Sequence, residues 1–72
     1  MTHVELLQQE KNKYIKEGKE LLDIAADWLH RNCDEWDVVH EQQYVAFVQQ
    51  AATNLNKAIA INDVLIKLGV LF

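Results

Sequence analysis

Apolar residues recur along the first part of the chain at Val4, Leu7, Tyr14, Leu21, Ala25 and Trp28, in steps of three, four or seven. That is the repeat of one face of an α-helix. Leu6, Ile15, Leu22 and Leu29 widen the stripe, and Lys11 and Gly18 interrupt it. The spacing predicts one amphipathic helix over about residues 3–31, roughly 43 Å long at about 1.5 Å per residue. Thr2, three residues before Glu5, forms a capping-box pair that fixes the start. Lys13–Glu17, Lys16–Glu20, Lys19–Asp23 and Asp27–Arg31 fall at i,i+4 on the polar side. Each such pair adds only a few tenths of a kcal/mol, so the lysine run reads first as a solvated face.

The second part repeats the pattern at Val38, Val45, Val48, Ala52, Leu55, Ile59 and Ile66, with Tyr44, Phe47, Ala51 and Ala58 alongside. This predicts a helix from about residue 35 to Leu68, with Gly69 as its C′ residue and Lys67 in the last turn against the helix dipole. Asn62-Asp63 offers a competing break that would cap a short third helix. The turn falls at Asn32-Cys33-Asp34, and Asn32, Asp34 and Asp37 each qualify as the next N-cap. Two long helices joined by a short turn make an all-α antiparallel hairpin, one domain over residues 1–72.

Eleven of the fifteen residues from Ala58 to Phe72 are apolar and spread around the helix. A helix that is apolar on several sides needs burial on several sides. The closed solution is a two-fold dimer forming a four-helix bundle, with Val70-Leu71-Phe72 packed across the interface. The competing solution is a monomer whose last helix folds back on the hairpin.

Composition narrows the classes. The 72 residues include one Cys, no Pro and two Gly, with a net charge of −4. One Cys cannot build a disulfide scaffold, and no Cys-x-x-Cys pair supports a zinc finger. The N-terminus shows neither a basic start nor an apolar run, so no signal peptide is expected. No stretch reaches the roughly 20 apolar residues of a membrane span. These features point to the cytoplasm and away from a membrane. Residues 23–41 hold six acids (Asp23, Asp27, Asp34, Glu35, Asp37, Glu41) against Arg31 alone, a local charge of −5. That charge disfavours nucleic acid and suits a basic protein surface.

Candidate chemistry is sparse. Asp27-Trp28-Leu29-His30 and Asp37-Val38-Val39-His40 place a carboxylate and a histidine at i,i+3. The spacing resembles that of ferritin-like di-metal bundles, with Asp in place of Glu. In the helical frame Asp27 and His30 point outward, and Asp37 and His40 flank Val38, so no metal site and no cofactor is expected. Helical nucleotide pyrophosphohydrolases offer a second comparison. Glu20, Asp23 and Asp27 share a face as their Mg²⁺ ligands do, but the second helix supplies no complementary set. Cys33 has His30 nearby and no orienting third group. The chain therefore reads as a non-enzyme.

Trp36 stands among Asp34, Glu35 and Asp37. It is either a contact hot spot or a staple packed over the helix ends. The functional expectation is a small acidic interaction protein, dimeric, that occludes a basic site on a partner through Asp34, Glu35, Trp36, Asp37 and Glu41. In type it resembles phage- or plasmid-encoded inhibitors and accessory regulators. A second expectation is an oligomer that binds a small anion such as a nucleotide through Lys13, Tyr14 and Lys16. A third is a metal-dependent helical-bundle enzyme.

Overall fold

A computed structural model describes residues 2–69. Helix α1 (His3–Asn32) leads through one 3₁₀ turn (Cys33–Glu35) into helix α2 (Val38–Lys67), which packs back along it. The result is a rod of 50 × 17 × 17 Å. The helical hairpin expected from the repeats is present. Val70-Leu71-Phe72, the expected interface tail, lies outside the described residues.

The helix ends follow from local hydrogen bonding. Thr2 Oγ1 accepts from the Glu5 backbone N–H at 3.1 Å, satisfying one of the orphan donors of the first turn. Of the three candidate caps for α2, Asp37 holds the position. Its Oδ1 accepts from the His40 backbone N–H at 3.0 Å. Asn32 instead donates its side-chain amide to the Trp28 carbonyl at 2.9 Å, closing the last turn of α1. At the far end Gly69 has φ +78° and donates its N–H to the Ile66 carbonyl at 2.9 Å. Only a residue without a Cβ takes that conformation cheaply.

Helix α2 runs unbroken through Asn62-Asp63. Neither side chain caps a new helix. The Asn62 Oδ1 lies 3.5 Å from Lys11 Nζ, and Asp63 pairs with Lys67 at 3.1 Å. With no break, the folded-back three-helix monomer has no third helix among the described residues.

The helices meet along a seam in strict three-four alternation. From α1 it takes Val4, Leu7, Lys11, Tyr14, Gly18, Leu21, Ala25 and Trp28, and from α2 Tyr44, Phe47, Ala51, Asn54, Ala58, Ile61 and Leu65. All are buried or half-buried. This is a heptad repeat, averaging 3.5 residues per turn. Lys11 and Gly18 therefore belong to the α1 seam instead of interrupting it. The lysine stem lies in the seam while its ammonium reaches Asn62.

In α2 the structure corrects the expected register. The stripe Val38, Val45, Val48, Ala52, Leu55, Ile59 and Ile66 is not the hairpin face. The seam is offset from it by one residue, about 100° around the helix. Val38 is 72% exposed and Ile59 65% exposed, while Ala51 and Leu65 are fully buried. Small residues decide this. At Gly18 the backbones approach so closely that an added Cβ would stand 3.3 Å from the Ala51 carbonyl oxygen and 2.8 Å from Leu55 Cγ. Ala51 and Ala58 permit that approach, and a β-branched residue in their places would hold the helices apart. Toward the turn Phe47 takes the seam position and meets Trp28 edge-on at 6.1 Å.

Candidate functional site at the hairpin tip

The turn end of the rod collects most of the aromatic and acidic side chains singled out in the sequence. His40, one turn into α2, lies between two indoles. The Trp28 ring is 5.6 Å away and tilted, and the Trp36 ring is 5.7 Å away and stacked. Each indole N–H finds a partner: Trp28 Nε1 donates to the His40 carbonyl at 3.1 Å, and Trp36 Nε1 to Glu41 Oε2 at 2.9 Å. Tyr44 meets Trp36 edge-on at 6.0 Å. Trp36 is thus half-buried and packs over the first turn of α2 as a staple, with one edge still in solvent.

His40 departs from expectation. The sequence reading set it beside an inward Val38, whereas Val38 faces solvent and His40 occupies the seam. Its Nδ1 lies 2.9 Å from Asp37 Oδ1 but out of line for a hydrogen bond, and it has no aligned partner. The same oxygen already accepts from the His40 backbone. That backbone bond, with the imidazole beside it, holds the Asp37 carboxyl below the usual carboxylate range.

The predicted partner-binding residues divide into two sets. Trp36, Asp37 and Glu41 form one bonded group. Asp34 and Glu35 project from the 3₁₀ turn, both exposed. Arg31, the lone cation of this region, pairs with Asp27 at 2.9 Å, so its charge is met within α1. Cys33 is exposed and directs its thiol to the His30 carbonyl at 3.3 Å.

Lys13, Tyr14 and Lys16 are not brought together. Tyr14 turns into the seam, where Lys57 of α2 lies over its ring at 5.3 Å, while Lys13 and Lys16 are exposed on the outer side of α1. Among the described residues, no three His, Cys, Asp or Glu side chains converge as metal ligands. No described helix is long and apolar enough to cross a membrane.

A second feature was not recognised as a site in the sequence. A shallow cleft of about 380 Å³ runs between the helices, lined by Lys11, Ile15, Leu55, Ala58, Ile59 and Asn62. Its signal is the very stripe read as the hairpin face of α2. Comparison with family models, with curated proteins and with solved structures finds no match.

Proposed function

We propose that this chain is a non-enzymatic interaction protein that uses its acidic tip to cover a basic surface on a partner protein. The observation that carries this reading is the segregation of charge. Asp34, Glu35, Asp37 and Glu41 are exposed at one end of a 50 Å rod, and the only nearby cation is already paired. Such a field speeds encounter with a cationic surface and makes binding salt-dependent. The bonded Trp36–His40–Glu41 group gives the tip a fixed shape, so little side-chain freedom is lost on docking. The rod further acts as half of a four-helix bundle, pairing with a second copy.

The test is a titration of the protein with an oligolysine peptide, followed by backbone amide shifts. The expected result is shifts confined to residues 27–41 that shrink as salt rises. Changing Asp34→Asn, Glu35→Gln and Asp37→Asn together should abolish them while leaving the fold intact, because Asn caps a helix as well as Asp does. Shifts spread evenly along the rod, or unchanged in the triple variant, would sink the acidic-tip reading.

A further inference from the structure

The hairpin buries one stripe of α2 and leaves a second one only partly covered. Val45, Val48, Ala52, Leu55, Ile59 and Ile66 continue the three-four alternation along the edge next to the seam, with Asn62 completing it. Val45, Ile59 and Ile66 are exposed, and Val48 and Leu55 are half-buried. Across the cleft, Ile15, Leu22 and Leu29 stand seven residues apart on α1 and face the same way. A seven-residue repeat drifts by about 20° per heptad around a straight α-helix, so it stays aligned with a partner helix that supercoils about it. This face therefore fits a helical partner of similar length.

Three observations favour a second copy of this chain as that partner. First, the elongated rod exposes more surface than a compact chain of its mass. A compact chain of 8.4 kDa should expose about 4,600 Å², whereas the surface here is 5413 Å². The rod shape thus leaves about 800 Å² more surface than a compact chain would, an area large enough to hold one side of a standard stable interface. Second, the border of the stripe on α2 is formed by Gln42, Gln49 and Asn56, with Asp63 the only charge. The α2 edges of two copies thus meet with little like-charge conflict, and Lys11 on the α1 side of the cleft is directed to Asn62. Third, the charge sets the orientation. Two tips of local charge −5 repel if they lie side by side. Antiparallel pairing puts each tip beside the other copy's open end, where Glu5, Glu10 and Asp63 balance Lys11, Lys13 and Lys67.

We infer that the Ile15–Leu55–Ile59 face is a homodimer interface, in which α2 packs antiparallel on α2 of a second copy and the two acidic tips project from opposite ends. This rests on the self-association proposed above and adds the face and the direction. It gives a molecule with two separated docking ends, able to bridge two basic surfaces.

The chain carries its own reporter of direction. Cys33 is its single cysteine and lies exposed at the tip. With the α2 helices crossing near Ala52, two nitroxides on Cys33 should be roughly 55 Å apart, taking about 1.5 Å per residue. Parallel pairing would bring them within about 20 Å. In the same experiment Ile59→Lys, at a position already 65% exposed in the hairpin, should retain helicity. It should raise the dimer dissociation constant at least about 100-fold, because both copies carry the buried ammonium. Ile24→Lys, on the opposite edge of the rod, should leave that constant unchanged. A short Cys33 distance would overturn the direction, and equal effects of the two lysine variants would overturn the face. A chain that is monomeric at every concentration would overturn both. Oligolysine binding by Ile59→Lys tests the tip separately, since a monomer keeps an intact tip.

Discussion

Gly18 offers a quantitative test of the close approach at the centre of the hairpin. In an exposed helix interior, replacing Gly with Ala stabilises by about 1 kcal/mol. Here the new methyl carbon would stand 2.8 Å and 2.9 Å from Leu55 Cγ and Cδ2, and 3.3 Å from the Ala51 carbonyl oxygen. The leucine is half-buried and has room to swing toward the cleft, whereas the carbonyl is fixed by its helix. Overpacking of this kind costs about 1–3 kcal/mol, which cancels or exceeds the gain in helix propensity. Gly18→Ala should therefore leave stability unchanged or lower it by up to about 2 kcal/mol, with Gly18→Val worse than Gly18→Ala. A change of 1 kcal/mol moves the melting temperature of a chain this size by about 4–8 °C, readable by circular dichroism at fixed protein concentration. Adding Leu55→Ala removes most of the clash. The double-mutant cycle should then show a favourable coupling above about 0.5 kcal/mol. If Gly18→Ala alone gave the full 1 kcal/mol of stabilisation, with no coupling to Leu55, the helices would not approach as described.

Four further outcomes follow from the tip and the N-terminus. The Asp37 carboxyl is held below its usual range by the bond from the His40 backbone. Its contribution to stability is full above the unfolded-state pKa and disappears as pH falls through the lower folded-state value; melting between pH 2 and 6 should show this loss, and Asp37→Asn should remove the acid-range part due to this group. Trp36→Ala should lower stability by about 1 kcal/mol through loss of its stacking on His40 and Tyr44, and an unchanged melting temperature would return Trp36 to the role of a pure contact residue. Trp28→Phe should cost a similar amount, because the buried-side donor to the His40 carbonyl is lost; thermal melts check it. Thr2→Ala should fray the first turn of α1 and cost about 1 kcal/mol, seen as faster hydrogen exchange at Glu5.

The two helices and the outer ends of the hairpin are legible in the sequence because they depend on neighbouring residues, whereas the start of α2 stays open among Asn32, Asp34 and Asp37. Thr2, Asp37 and Gly69 act through bonds to backbone groups within a few positions. The face of α2 was not legible in the same way. Hydropathy ranks Val45, Leu55, Ile59 and Ile66 above Tyr44, Ala51, Asn54 and Ala58, so the strongest stripe was assigned to the hairpin. At its centre the structure gives the seam to the smaller residues Ala51, Asn54 and Ala58, because Gly18 on α1 rewards close approach over side-chain bulk. One helix viewed alone carries no record of that preference. The displaced stripe then becomes the apolar face that remains. Trp36 shows the same limit: its acidic neighbours leave a surface contact and a staple equally open, and only the placement of His40 and Glu41 selects the staple.

The central claim is that this second stripe is covered by another copy. Its most direct test is sedimentation equilibrium of the unmodified chain over a wide concentration range. The account expects a mass of twice the 8.4 kDa chain at micromolar concentration, falling to one chain on dilution. A single-chain mass up to millimolar concentration, with a cooperative thermal transition, would contradict it.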